Sequence, residues 1–127
     1  MNRSELEQYI NQTYHADVDR PWMKYPSYKV FRHAANRKWF ALIMDVQKDK
    51  LGLPETGVID IVNLKCDPIL VGTLRNDIGI FPAYHMNKDN WISVALDGSV
   101  PEDKVRMLLD ISYELTAPKS KRKTRTG

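Results

Sequence analysis

The residues able to do chemistry in this 127-residue chain are few and scattered. The three histidines, His15, His33 and His85, lie far apart, and Cys66 stands alone. A transition-metal site draws several His, Cys, Asp or Glu side chains together at ligand spacing, and the sequence offers no such grouping. Cys66 sits between Lys65 and Asp67. A neighbouring cation there would lower its pKa toward a reactive thiolate, but a lone cysteine ahead of a helix cap is more often a small packed residue. The six glycines form neither GxGxxG nor a Walker pattern, so no phosphate-cradling loop is expected. The reading is of a protein without catalytic residues, metal or cofactor.

One stretch is dense in hydrogen-bonding groups: Tyr84-His85-Met86-Asn87-Lys88-Asp89-Asn90-Trp91. It runs into the alternating segment Trp91-Ile92-Ser93-Val94-Ala95-Leu96, which predicts a strand. A polar cluster at the mouth of a strand is either a site or a capped turn. Beside Tyr84, Asn87 and Lys88, His85 can contact an anion or a base edge, or cap the turn with its ring bonded to backbone; the turn is preferred. Lys65 and Lys88 each stand near the end of a predicted element, where a phosphate contact is feasible and simple solvation more usual.

A second stretch interleaves cations and rings. From Arg20 to Lys38 there are six Lys/Arg and no acid, set among Trp22, Tyr25, Tyr28 and Phe31. Phosphates meet Lys and Arg, and bases stack on rings, in nucleic-acid surfaces; this makes Arg37 and Lys38 candidates for phosphate contact. A hairpin with rings inside and cations outside gives the same pattern by strand alternation alone.

Charge has to be divided by region. The chain carries a net +3, but the five cations of Lys119, Lys121, Arg122, Lys123 and Arg125 sit in its last nine residues, leaving residues 1–118 with a net of −2. The basic character belongs to the end of the chain, which weakens any argument for nucleic acid from global charge. The apolar fraction of 43% and charged fraction of 28% suit one soluble domain. No apolar run approaches the roughly 18 residues of a membrane helix. The polar N-terminus does not resemble a signal peptide, and a single cysteine excludes an internal disulfide. Together these lead to the expectation of a cytoplasmic monomer that avoids membranes.

These groups need a scaffold, and the chain supplies one in alternating blocks. Ser4 and Glu7 have capping-box spacing, so a helix is expected over residues 4–14. His15 to Pro26 is expected to be a loop, its Trp22 and Tyr25 covering one end of the core. Strands follow around 28–32 and 38–45, joined at Asn36-Arg37, with a polar loop from Gln47 to Gly57 and a third strand at 58–64. Asp67-Pro68 opens a short helix, with Ile69, Leu70 and Leu74 as its buried stripe. A short extended segment at 80–84 and a strand from Trp91 precede a last helix over 101–117, with Val105, Leu108, Leu109, Ser112 and Leu115 as its apolar face. The fold class is therefore α+β, a two-layer domain with an antiparallel sheet covered on one face by helices, in the order α-β-β-β-α-β-β-α. The domain spans residues 1–118, and 119–127 is expected to be a disordered basic tail.

Several of these motifs, in order, resemble the MmcQ/YjbR family: Asn63-Leu64-Lys65-Cys66-Asp67-Pro68, Tyr84-His85-Met86-Asn87-Lys88 with Trp91-Ile92-Ser93-Val94, Leu96-Asp97-Gly98, and a final helix carrying Ser112-Tyr113. The likeness covers roughly residues 28–116. It departs at the N-terminus, where the helix is short and Val18-Asp19-Arg20-Pro21-Trp22 replaces a Pro-Gly stretch. The resemblance implies a two-layer α+β fold similar to CyaY and to secretion chaperones. It also implies DNA binding through a double-wing arrangement, with no enzymatic activity. Lys65, His85, Asn87, Lys88 and Trp91 carry over as signature positions without assigned roles. The expectation is a non-catalytic DNA-binding protein that contacts phosphates through Lys65, His85, Asn87, Lys88, Arg37 and Lys38. The alternative is a protein-interaction module of chaperone-like fold.

Overall fold

A computed structural model describes residues 1–119 of the chain. The elements run α1 (Arg3–Thr13), β1 (Ala16–Asp19), β2 (Lys29–His33), β3 (Trp39–Gln47), a 3-10 turn (Lys48–Leu51), β4 (Val58–Lys65), α2 (Pro68–Leu74), β5 (Ile80–Pro82), β6 (Trp91–Ala95) and α3 (Glu102–Thr116). The six strands form one sheet in the order β1-β2-β3-β4-β6-β5, and every neighbouring pair is antiparallel. The α+β class and the two-layer arrangement are as expected. Of the expected tail, residues 120–127 lie outside the described residues.

Local chemistry explains most element boundaries. The capping box that opens α1 lies two residues ahead of the one expected from Ser4 and Glu7. Asn2 accepts from the Glu5 backbone N–H, and the Glu5 carboxylate accepts from the Asn2 N–H, both at 2.9 Å. Glu7 is thereby free to pair with Lys29 and Arg3. In α2, Asp67 caps Leu70 N–H at 2.9 Å and Pro68 takes the first position. Its buried stripe is Val71 and Leu74, whereas Ile69 is 84% exposed. The Ile69 expectation failed because the cap sets the helical phase, and the phase turns Ile69 to solvent. The supposed loop from His15 also pairs as β1 along β2, Ala16 opposite His33 and Asp19 opposite Val30.

Strand alternation splits the core in two. On one face α1, α2 and α3 pack over the sheet, joining Leu6, Ile10, Val71, Leu74, Leu108 and Leu109 to Ile43, Val62, Leu64, Ile92 and Val94. On the other face Val30, Leu42, Met44, Val46, Ile59, Ile61 and Ala95 form a second buried cluster. Among the described residues no α-helix lies over it. It is covered by rings and a loop: Trp22, Tyr28, Trp39, Leu51, Phe81, Tyr84 and Met86.

A β-bulge decides which ring belongs to which face. Between β2 and β3 the register shifts: Phe31 stands opposite Ala41, but Arg32 stands opposite Trp39. Phe40 is the extra residue. It joins the helix-side core next to Ala41, and the displaced alternation delivers Trp39 to the opposite face. Re-aiming a side chain is a common consequence of a bulge.

Candidate aromatic site on the helix-free face

The loop from Arg20 to Tyr28 folds as two successive turns, Tyr25 N–H to Trp22 C=O at 3.1 Å and Tyr28 N–H to Tyr25 C=O at 3.0 Å. Residues three apart then project to one side, so Trp22, Tyr25 and Tyr28 gather over the sheet. Tyr25 stacks on Tyr28 at 4.8 Å between ring centroids. Trp22 stands nearly perpendicular to both Tyr28 (5.9 Å, 77°) and Trp39 (5.8 Å, 89°). With Tyr84, His85 and Met86 closing the other side and Leu42 and Met44 beneath, these rings enclose a cavity of about 510 Å³. That volume falls in the range of about 300–1,000 Å³ usual for small-molecule sites.

The 83–90 loop is held from behind by a closed polar circuit. Asn63 Nδ2 donates to the Tyr84 carbonyl at 2.9 Å and approaches Met44 Sδ at 3.8 Å. Ser93 Oγ donates to Asn63 Oδ1 at 2.5 Å and accepts from the Tyr84 N–H at 2.9 Å. Asn63 and Ser93 face each other across β4 and β6 and both are fully buried. Among the described residues no buried side-chain nitrogen or oxygen is left without a partner.

A second cleft adjoins the cavity and shares Tyr25, Tyr28 and Tyr84 with it; its other lining includes Lys24, Lys50 and Asp45. The Asp45 carboxylate accepts from Ser27 Oγ. Burial, reinforced by Tyr84, Asp45 and Tyr25, raises the Tyr28 pKa above the ordinary phenol range. On the Trp39 side, the Arg32 guanidinium lies 5.3 Å from the indole centroid and pairs with Asp19 at 2.5 Å.

The residues singled out from sequence separate in space. His85 borders the cavity with a left-handed φ of 60°, and its ring lies 4.0 Å from that of Tyr84. The expected bond from the His85 ring to backbone is not formed among the described residues; the Asn63–Ser93 circuit holds the loop at Tyr84 instead. Lys65 ends β4 on the same face as Asn63 by alternation, opposite Trp91, half-buried and without an ion pair among the described residues. Asn87 and Lys88 brace the loop: Asn87 Oδ1 accepts from Asp89 N–H at 2.8 Å, and Lys88 Nζ donates to the Ala83 carbonyl at 3.0 Å.

Arg37 and Lys38 occupy the β2–β3 turn. Arg37 pairs with Asp17 and, at 3.6 Å, with Asp19, while Lys38 is exposed. The acid-free run from Arg20 to Lys38 is therefore less basic in space than in sequence. Lys29, Arg32 and Arg37 meet Glu7, Asp19 and Asp17, two of these acids coming from the unexpected strand β1. Cys66 is 1% exposed, and burial, followed by the Asp67 charge, pushes its thiol up to about 11. The cation-activated thiolate considered from sequence is reversed by desolvation.

Sequence reasoning noticed Trp22, Tyr25 and Tyr28 but missed the cavity. The available signal was β3. Leu42 and Met44 alternate with Ala41 and Ile43, so the strand is apolar on both faces. In a two-layer fold with helices on one side only, something else must cover the second face.

The profile of the YjbR family matches residues 4–115. The chain is 43% identical to the Bacillus subtilis protein YyaQ over 116 residues, covering 91% of this chain and 98% of YyaQ. It is 39% identical to Escherichia coli YjbR over 66 residues, covering 49% of this chain and 56% of that one. A crystal structure of a Pseudomonas syringae protein superposes with a TM-score of 0.90 at 44% identity, covering 92% of this chain and all of the other. A Deinococcus radiodurans protein with a DUF419 domain superposes at 0.72 with 26% identity, covering 97% of this chain and 86% of the other. Matched by the family profile over residues 4–115 and 43% identical to YyaQ over nearly its whole length, the chain belongs to the YjbR family.

Proposed function

We propose that this chain is a non-catalytic nucleic-acid-binding domain, and that it holds single strands on the helix-free face of its sheet. The observation that carries this reading is the continuity of the two openings. The aromatic cavity and the cleft with Lys24 and Lys50 share Tyr25, Tyr28 and Tyr84. Rings beside cations, on an open sheet face, form a path along which bases stack while phosphates meet lysine. Lys65 lies on the same face. The pairing of Lys29, Arg32 and Arg37 with acids weighs against a broad phosphate-binding surface for duplex DNA, and so moves the expected contact from phosphate toward base.

The test is a titration of labelled oligothymidine and of a duplex of equal length, at several salt concentrations, with the full chain and a truncation after Pro118. The single strand should bind more tightly, with log affinity falling by about 0.7 per log salt for each phosphate engaged. The truncated protein should retain binding, and Trp22→Leu should weaken it. Duplex preference would replace the single-strand reading with a duplex one; absence of binding, or its complete loss with the tail, would favour instead the protein-interaction reading, which the net charge of −2 over residues 1–118 supports.

A further inference from the structure

The aromatic cavity is a half-open pocket of about 510 Å³ walled by rings on several sides. Its floor, Leu42 and Met44, is already buried, so the apolar surface a ligand would cover belongs to the ring walls, which suit a flat molecule that enters free and stacks on them. We propose that the cavity between Trp22, Tyr28, Trp39 and Tyr84 is a site for a free planar heteroaromatic molecule of about two or three fused rings, uncharged or anionic, taken up independently of any nucleic acid.

Shape sets the first part of that class. Trp22 meets Tyr28 and Trp39 at close to right angles, so a flat ring can stack on one wall while presenting its edge to the next, both favoured aromatic geometries. Charge sets the second part. A cage for a quaternary ammonium ion offers negative ring faces, but here the lining contains no carboxylate, and Arg32 already lies against Trp39. With Arg32 paired to Asp19, the guanidinium adds little net charge; a cation would find no carboxylate in the lining to offset it, and a neutral or anionic ligand none to oppose it.

The polar groups set the third part. The lining includes two indoles, whose N–H groups only donate, and three phenols, which donate or accept, so a ring system whose edge carries carbonyl oxygens or unprotonated ring nitrogens finds partners there. The site is also preorganised. Tyr84 is fixed through its backbone to Asn63 and Ser93, and the bulge at Phe40 fixes the aim of Trp39. Little ordering is left to be done on binding.

Riboflavin is the probe, because stacking against indole or phenol quenches flavin emission. Titrating it with the full chain should give saturable one-to-one quenching, with flavin mononucleotide binding at least as tightly and tetramethylammonium chloride failing to displace either. Trp22→Leu and Trp39→Leu should each weaken binding by about tenfold, the loss of one stacking wall. Trp22→Phe and Trp39→Phe should recover most of it, and thermal midpoints would establish that each variant is folded. Absence of saturable quenching by either flavin, unchanged affinity in both folded leucine variants, or displacement by tetramethylammonium would overturn the proposal. A chain that ignores oligothymidine but quenches riboflavin loses the strand-binding reading and keeps this one. The opposite pair of results sinks this inference alone.

Discussion

The side-chain amide of Asn63 in β4 holds the backbone carbonyl of Tyr84 at 2.9 Å across 21 residues of chain. Ser93 in β6 closes the circuit on both sides. A loop is usually positioned by its own turn chemistry. Here the position of a cavity wall is set from within the sheet, by two small polar residues in an otherwise apolar region. Buried polar groups stabilise only while every member is satisfied.

Removing one member of that circuit orphans its partners. Ser93→Ala leaves the Tyr84 N–H and Asn63 Oδ1 unpaired, each costing about 1–3 kcal/mol. Its thermal midpoint should fall by at least about 5 °C, measured by calorimetry. In a double-mutant cycle with Asn63→Leu, the combined loss should be clearly less than the sum of the single losses. Simple additivity would show that the two residues do not act as one unit.

Lys65 and Lys88 should behave differently although both lie in the matched motifs. Lys88 is engaged with the Ala83 carbonyl inside its own loop, so Lys88→Ala should lower stability and leave the salt dependence of strand binding nearly unchanged. Lys65 is unpaired among the described residues, and Lys65→Ala should reduce the salt slope by about 0.7, one phosphate on a single strand. Equal slopes for the two variants would remove Lys65 from the binding path.

Asp97 gives a defined acid limb. Its carboxylate accepts from the Ser99 hydroxyl at 2.6 Å and from the Ser99 backbone N–H at 3.0 Å. The hydroxyl bond first, against a smaller opposing effect of burial, holds its pKa below the usual carboxylate value. A group with a depressed folded pKa stabilises above its unfolded value, about 3.9, and loses that contribution as pH falls through the folded one. Wild type should therefore exceed Asp97→Asn in urea midpoint at neutral pH. The gap should shrink below about pH 4; a gap independent of pH would contradict this assignment.

Cys66 should be inert in the folded protein. With the thiol buried and its pKa pushed up to about 11, a disulfide reagent at mildly alkaline pH should titrate no thiol until denaturant is added, then one. The raised value has a stability consequence of the opposite sign to Asp97. The contribution is intact below the unfolded thiol pKa of about 8.5 and is lost as pH rises toward the folded value. Prompt native reaction would restore the nucleophilic reading.

Leu108 in α3 is fully buried against the sheet. Leu108→Ala should cost about 2–5 kcal/mol, and Leu108→Asp should leave no cooperative thermal transition, since it buries an unpaired charge. A Leu108→Asp protein with the wild-type midpoint would refute the packing of α3.

The sequence by itself determined the class and most of the elements, because these rest on local signals. Periodicity marked α3, a near-continuous apolar run marked β3, the Asp67-Pro68 pair marked the start of α2, and β-branched residues marked β4. It also singled out Trp22, Tyr25 and Tyr28, and the dense loop that begins at Tyr84. What only the tertiary structure decided depends on partners distant in the chain. Strand β1 is polar and short, and it is a strand only because β2 offers an edge; once formed, it brings Asp17 and Asp19 to Arg37 and Arg32 and neutralises what looked like a basic patch. The single extra residue at Phe40 reverses the face of Trp39, which strand alternation in the sequence cannot anticipate. Asn63 and Ser93 look ordinary in one dimension. Their register across β4 and β6 makes them the support of Tyr84 and, through it, of the aromatic cavity.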